Sequence, residues 1–155
     1  MNFIFKLFVK MNIIMFRMTN GRLGSSMKGV PILLLTTTGN KSGQPRTVPV
    51  MQIEDGGKRY VIGSMGGAPE DPAWIKNIQK TPQVALLVDH YNEDWTRLWY
   101  VLVRGEAELV SAPAERKRAI QCLRAKYPQY SPEMLEDDAP LLRITPQRIT
   151  AWGNI

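Results

Sequence analysis

Residues 35–49 read LTTTGNKSGQPRTVP, a short polar segment between two apolar runs. The first run, residues 31–35, leads into it, and the second, residues 48–53, leads out of it. The polar segment contains Gly39 and Gly43, one lysine, one arginine and no acid. Apolar runs on both sides of a glycine-bearing segment predict two strands joined by a turn. We therefore predict a sheet-based fold in which a rigid pair of strands holds a cationic turn.

The composition of this turn is typical of an anion-binding site. Gly39 and Gly43 permit backbone angles that other residues avoid, so backbone N–H groups in the turn could converge on phosphate oxygens. Lys41 and Arg46 would each add charge-assisted hydrogen bonds of about 1.5–3 kcal/mol. The alternative is an ordinary hairpin whose basic residues are simply solvated. The turn alone does not decide between the two.

Composition excludes several classes of function. The chain has 155 residues, 44% of them hydrophobic, which is the size and content of one globular domain. Its single cysteine excludes an intramolecular disulfide framework, and its single histidine excludes a multi-histidine metal site. A Ser-His-Asp triad would need His90 as its base, and the sequence contains no Gly-x-Ser-x-Gly elbow.

Charge is distributed unevenly along the chain, whose net charge is +6. The first acid is Glu54, and seven of the 20 lysines and arginines precede it. A strongly positive first third attracts nucleic acid, anionic lipid or a small polyanion. Nucleic acid is the least favoured of these, because no nucleic-acid-binding module and no pattern of basic and aromatic residues is found.

Residues 1–18, MNFIFKLFVKMNIIMFRM, are predicted to form an amphipathic helix. Lys6, Lys10 and Arg17 share one helical face, and three cations in so short a segment argue against a membrane span. The segment also lacks the features of a cleaved signal peptide. It could lie in a membrane interface, or pack on its own domain or on a dimer partner. We assign residues 1–20 to this helix and residues 21–155 to one cofactor-binding domain.

The rest of the chain is predicted to be mainly β (α+β). Turn signals separate six apolar strands, which fit a compact antiparallel barrel with peripheral helices. The predicted strands are Val30–Thr38, Thr47–Glu54, Arg59–Gly63, Gln83–Asp89, Arg97–Val110 and Leu141–Trp152, and the helices span residues 72–80 and 113–126. Within the fifth strand region, Trp95 and Trp99 should alternate onto one face, in the core or a dimer interface.

A second glycine-rich loop, residues 63–74, follows the third strand. It supplies Ser64 and ends at a helix N-terminus, which favours negative charge. Two anion-receptive loops in one small domain indicate a ligand with more than one anionic group. Trp74, directly afterwards, could offer a flat surface to a planar ring or simply pack in the core.

Two long motifs now resemble a known family. PILLLTTTGNKSGQPRTVPV and YVIGSMGGAPEDPAWIKNI are similar to the deazaflavin-dependent nitroreductases, split β-barrel enzymes that use reduced coenzyme F420. The segments VALLVDHYNEDWTRLWYVLVRGEAELV and LRAKYPQY resemble F420-dependent enzymes of the pyridoxamine-phosphate-oxidase-like class. The resemblance implies a split β-barrel of the flavin-reductase and pyridoxamine-oxidase-like type. It also implies hydride transfer from reduced deazaflavin to an electron-poor acceptor such as a quinone or a nitroaromatic.

The resemblance assigns roles to particular residues. The first motif would hold the cofactor's anionic groups and line its ring, the second would bind phosphate, and the following helix would flank the deazaflavin. The implied cofactor-binding residues are Lys41, Ser42, Gly43, Arg46, Thr47, Val48, Pro49, Ser64, Met65, Gly66, Gly67, Pro72, Ala73, Trp74 and Asn77. Tyr127 and Tyr130 fall in a Tyr-Pro-x-Tyr segment on the substrate side and are candidate catalytic donors, with ordinary loop packing as the alternative.

The chain departs from the family pattern at two positions. Met65 stands where the family usually has lysine, which removes a cation from the phosphate site, and Ile75 replaces a tyrosine. FMN therefore remains an alternative cofactor, and a non-catalytic flavin- or tetrapyrrole-binding protein an alternative function. We expect a cytoplasmic protein, with peripheral contact to the inner face of the membrane through residues 1–18. A homodimer is left open, and no metal is expected.

Overall fold

The computed structural model describes residues 26–27, 30–31, 33–63, 71–132 and 134–153. The predicted N-terminal helix, residues 1–20, and the predicted phosphate-binding residues Ser64, Met65, Gly66 and Gly67 lie outside the described residues. The strands are β1 Ser26–Met27, β2 Val30–Pro31, β3 Leu33–Thr38, β4 Pro45–Val50, β5 Gln52–Asp55, β6 Lys58–Ile62, β7 Gln83–His90, β8 Trp99–Leu109 and β9 Leu141–Gly153. The helices are α1 Ala73–Lys80 and α2 Pro113–Lys126.

Seven of these strands form one antiparallel sheet in the order β4-β3-β7-β8-β9-β6-β5. Strands β4 and β5 are separated in sequence only by Met51, yet they are the two outermost strands of this order. The sheet must therefore curl until its two edges approach each other, as in a split barrel. This confirms the predicted mainly β barrel with peripheral helices.

Three predicted strands are wrong in their extent. The expected strand Val30–Thr38 is divided, because Val30–Pro31 pair with β1 in a separate two-stranded sheet and only Leu33–Thr38 belong to the large sheet. The expected strand Thr47–Glu54 is interrupted at Met51, where the chain crosses from one edge of the sheet to the other. The fifth strand starts at Trp99, because Trp95–Arg97 form a short 3₁₀ turn capped by the Asp94 carboxylate. Trp95 is 82% exposed, so it does not share a buried strand face with Trp99.

Alternating side chains along the strands fill the inside of the barrel. In β3, Leu33, Leu35 and Thr37 are buried, while the residues between them are half-buried. Helix α1 covers this core with Trp74, Ile75 and Ile78. Burying one such large apolar side chain contributes about 1.5–3 kcal/mol, so the sheet and α1 stabilise each other.

Helix α2 covers a second apolar cluster and is fixed to the sheet by a charged network. The Arg143 guanidinium on β9 donates to both Glu115 carboxylate oxygens at 2.7 and 2.8 Å, and the Tyr60 hydroxyl donates to the same carboxylate at 2.8 Å. The hydrogen bonds from Arg143 and Tyr60 lower the pKa of Glu115 below its usual value. The ionised carboxylate therefore joins α2 to β6 and β9.

Strands β8 and β9 shift register next to Gly105. A Cβ atom at Gly105 would overlap the Thr145 carbonyl, so the two backbones approach there more closely than a side chain would allow. Such irregularities bend a strand and increase its local twist. This glycine therefore lets the two longest strands follow the curvature of the barrel.

Candidate functional site

The turn between β3 and β4 is closed by its own backbone hydrogen bonds. The Gly39 N–H donates to the Gln44 carbonyl at 2.9 Å, and the Gly43 N–H donates to the Gly39 carbonyl at 2.8 Å. Gly43 has φ +65°, a left-handed conformation that glycine adopts without strain. The predicted hairpin turn is therefore present, and Gly43 is required by its backbone geometry.

The predicted cradle of converging backbone N–H groups is wrong for most of this turn. Besides Gly39 and Gly43, the Asn40 N–H donates to the Asn77 side chain at 2.9 Å, and the Gln44 N–H donates to the Ser42 hydroxyl at 3.3 Å. These four donors are satisfied within the protein. Anion binding at the turn must therefore depend mainly on side chains.

The cationic side chains of the turn are available for that role. Lys41 and Arg46 are both exposed, and neither forms a salt bridge with any residue that the structure describes. Arg46 Nη2 lies 3.4 Å from the Ser42 hydroxyl oxygen, which orients the guanidinium across the turn. Two cations and one hydroxyl on a rigid turn fit the anionic groups of a phosphorylated ligand.

Helix α1 fixes the turn from the other side. Asn77 is 7% exposed; its amide nitrogen donates to Thr37 Oγ1 at 2.9 Å while its amide oxygen accepts from the Asn40 N–H. The Lys80 ammonium donates to the Asn40 carbonyl at 2.7 Å. Asn77 therefore positions the turn, with both ends of its amide engaged. Sequence reasoning missed Thr37 and Lys80, although a lysine in the last turn of a helix often binds a nearby carbonyl.

The other residues assigned to the deazaflavin are divided between the core and the two faces of the sheet. Trp74 is 6% exposed and packs in the barrel core, and Pro72 is buried against Gly63. Ala73, at the start of α1, is exposed. These positions support the core-packing alternative for Trp74.

Strand β4 presents its residues alternately to the two sides of the sheet. Val48 packs against the core cluster, so Thr47 and Pro49 lie on the outer face. The Thr47 hydroxyl lies 2.9 Å from that of Thr36 on β3. The side chains of Val48 and Pro49 therefore cannot contact the same ring. Of the two, Pro49 is the one that a ring on the outer face could contact.

The geometry so far is an exposed cationic turn on the edge of a split barrel, and comparison with known proteins identifies the family to which the chain belongs. The sequence profile described as F420H(2)-dependent quinone reductase matches residues 8–141, which include the turn, α1 and most of the barrel. The chain belongs to this family. Coenzyme F420 is the cofactor of the F420H2-dependent quinone reductase family, as the resemblance implied.

Individual relatives agree with the family assignment. An F420H2-dependent quinone reductase of Mycobacterium tuberculosis is 35% identical over 105 residues, which cover 59% of this chain and 70% of the relative. A solved F420-H2 dependent reductase (FDR-A) is 28% identical, with a TM-score of 0.56 over 74% of this chain and 93% of that one. The fold is shared more widely, since a FAD-binding protein from Mesorhizobium loti superposes with a TM-score of 0.60 at 19% identity, over 77% of this chain and 83% of that one.

Within this family member, the two candidate catalytic tyrosines lie in the second apolar cluster, beside α2. Tyr127 is 5% exposed; its hydroxyl donates to the Gln52 carbonyl at 2.8 Å and lies 3.4 Å from the Gln52 N–H. The half-buried Tyr130 packs edge-on against Tyr127, with ring centroids 6.1 Å apart. This geometry supports loop packing, because the Tyr127 hydroxyl is already used to hold β5. A catalytic role for the two hydroxyls, as hydrogen-bond donors to the acceptor, stays a prediction.

Proposed function

We propose that this protein is an F420H2-dependent reductase whose acceptor is a quinone. The observation that carries the proposal is the family match over residues 8–141. It is supported by Lys41 and Arg46, which are exposed and form no salt bridge with any residue that the structure describes. The M. tuberculosis relative bears the name of this activity.

The turn residues fit the proposed cofactor. Coenzyme F420 carries a phosphodiester and a glutamate tail, and in its reduced form it supplies the hydride. Lys41, Arg46 and the Ser42 hydroxyl would bind its anionic groups. Space around Gly43 is open, since a Cβ built there meets no atom within 4 Å. Anionic groups can therefore approach the turn closely.

The remaining residues would orient the ring and exclude water. Asn77 holds the turn against α1, and Pro49 offers an apolar contact on the outer face of the sheet. We propose Ser64, Gly66 and Gly67 as the second phosphate-binding segment. Met65 adds no charge there, so the cations of the β3–β4 turn would supply most of the electrostatic attraction.

Cofactor binding is tested by titrating the protein with F420 and, separately, with FMN, following intrinsic tryptophan fluorescence. We expect Lys41→Ala and Arg46→Ala each to weaken F420 binding by about tenfold or more, the loss of one charge-assisted contact. The control is Lys117→Ala, which also removes one positive charge but replaces an exposed lysine on α2, outside the turn. Absence of F420 binding at tens of micromolar, or equal affinity for FMN, would overturn the assignment.

We also propose that the protein is cytoplasmic and that residues 1–18 contact the anionic inner face of the membrane, where a lipid-soluble quinone resides. Lys6, Lys10 and Arg17 support this by their spacing, which would put them on one face of the predicted helix. Among the described residues, no helix is both long and apolar enough to cross a membrane. Co-sedimentation with phosphatidylglycerol vesicles should require residues 1–18, and equal pelleting of the full and shortened chains would refute the proposal. Whether the protein is a homodimer stays a prediction.

A further inference from the structure

The exposed face of α1 carries two lysines, Lys76 and Lys80, which we call the lysine strip. The helix sequence, AWIKNIQK, contains no acid, and its buried face is apolar except for Asn77. The two lysines are four residues apart, so they lie on one face and about 6 Å apart along the helix axis. Both are exposed, and neither forms a salt bridge with any residue that the structure describes.

The helix itself explains only one of these two charges. Lys80 lies in the last turn of α1, where a cation complements the helix dipole. Lys76 lies in the middle of the helix, outside the reach of that effect. Like charges four residues apart on a helix repel each other. An anionic ligand lying across both ammonium groups would remove this repulsion.

The lysine strip is continuous with the cationic turn between β3 and β4. The Lys80 ammonium donates to the Asn40 carbonyl at 2.7 Å, and Asn40 directly precedes Lys41. An ammonium has three N–H donors, and within the described part of the chain only this one is used. The positive surface therefore starts at the turn, where Lys80 is held, and extends one helical turn along α1 to Lys76.

The number and spacing of these cations indicate which part of a ligand they match. A phosphodiester carries a single negative charge, which Lys41, Arg46 and the Ser42 hydroxyl on the turn can already neutralise. The lysine strip adds two further cations, one beyond the other. Cations in such a row match a series of carboxylates better than they match one more oxygen of the same phosphate. Coenzyme F420 carries such a series in its glutamate tail.

We propose that Lys76 and Lys80 bind the carboxylates of the cofactor's glutamate tail, which extends from the turn along the exposed face of α1. The proposal rests on the proposed function for its ligand, while the position of the site comes from the geometry of α1 and the turn. It predicts that the two lysines contribute affinity only when the tail is present.

Titration of the full chain with F420 and with a form of F420 that lacks the glutamates tests this, followed by intrinsic tryptophan fluorescence. We expect the wild type to bind the tail-bearing form more tightly. Lys76→Gln, which alters no hydrogen bond among the described residues, should weaken that form by about two- to fivefold, as expected for an exposed ion pair. Replacing both lysines by glutamine should weaken it by about tenfold. Binding of the tail-free form should change by less than about twofold in either variant.

Three further variants separate charge from structure. Lys80→Arg keeps the charge and should keep the preference for the tail, whereas Lys41→Ala should weaken both forms, because both contain the phosphodiester. Lys117→Gln removes one positive charge from the exposed face of α2 and should change neither affinity. Urea unfolding confirms that each variant is folded.

The outcomes distinguish this inference from the proposed function. Equal weakening of the two forms in the lysine variants would show that the lysines bind another part of the cofactor, and unchanged affinity would show that they bind none. Either result overturns the inference and leaves the proposed function standing. If the wild type binds neither form at tens of micromolar, the proposed function fails and this inference fails with it.

Discussion

Asn77 shows how one buried amide can determine the shape of a surface site. It joins Thr37 on β3 to the backbone of the turn at Asn40, and it is the only residue of α1 that does both within the described structure. The family resemblance implied a role for this residue beside the deazaflavin, which stays a prediction. The geometry gives it a positioning role, because both hydrogen-bonding ends of its side chain are used inside the protein.

Asn77→Ala should therefore weaken both stability and cofactor binding. The Thr37 hydroxyl and the Asn40 N–H would lose their partner, which we expect to lower the free energy of unfolding by about 1–3 kcal/mol. The freed turn should also bind F420 several-fold more weakly. Urea unfolding and F420 titration measure the two effects, with Gln79→Ala on the exposed face of α1 as the control. Equal stability of the two variants would contradict the positioning role.

Glu115 supplies the charge that holds α2 on the sheet, so its replacement should be costly. Glu115→Gln removes the ionised acceptor of Arg143 and Tyr60 and is expected to lower the free energy of unfolding by about 1–3 kcal/mol at pH 7. Glu108→Gln, which alters a more exposed partner of the same arginine, should cost less.

Because the pKa of Glu115 is lowered, the stability that this carboxylate contributes should depend on pH. The ionised carboxylate contributes its full stability above the unfolded-state pKa of about 4.3, and that contribution is lost as pH falls through the lower folded value. The wild type and Glu115→Gln should therefore differ in urea unfolding at neutral pH and converge in strong acid. A difference that persists or grows in acid would refute this account.

At the scale of elements, the pairing of β8 with β9 depends on Gly105. Gly105→Ala would drive a methyl group into the Thr145 carbonyl, and backbone on both strands would have to move. We expect a loss of more than about 2 kcal/mol, measured by urea unfolding. Gly57→Ala is the control, because its φ of +73° is strained for alanine but a Cβ there meets no atom within 4 Å. A larger loss at Gly57 would show that the bulge tolerates a side chain.

The observed ends of helices and strands show where the local sequence was sufficient to predict them. Helix α2 begins at Pro113 and ends at Lys126, and its proline start was the local signal that predicted it. The break at Met51 could not be predicted, because the predicted strand Thr47–Glu54 contains no glycine or other turn signal at that point. The chain divides there only because β4 and β5 must pair with opposite ends of a curled sheet. Trp95 was misplaced because the Asp94 cap competes locally with strand extension.

For the whole molecule, the excess of positive charge predicts salt-sensitive cofactor binding. The net charge is +6, and the exposed Lys41 and Arg46 contribute to it at the turn. Raising ionic strength from about 0.05 to 0.5 M shortens the Debye length several-fold, so the Kd for F420 should rise several-fold. Titration at the two salt concentrations measures this. A Kd for F420 that does not change with salt concentration would argue against a site based on these cations.

The sequence by itself determined the mainly β class, the cationic turn, its glycines and the family, because each rests on residue types at short spacing. Only the tertiary structure decided how the turn can act. A long-range contact from Asn77 on α1 satisfies the Asn40 N–H, and acceptors within the folded turn satisfy the Gly39, Gly43 and Gln44 N–H groups. Strand alternation sends Val48 and Pro49 to opposite faces. Pairing across β7, β8 and β9 brings Asp89, Tyr100 and Trp152 together, although they are far apart along the chain. Hydrogen-bond satisfaction and register depend on which strands become neighbours, and that is settled only when the sheet closes.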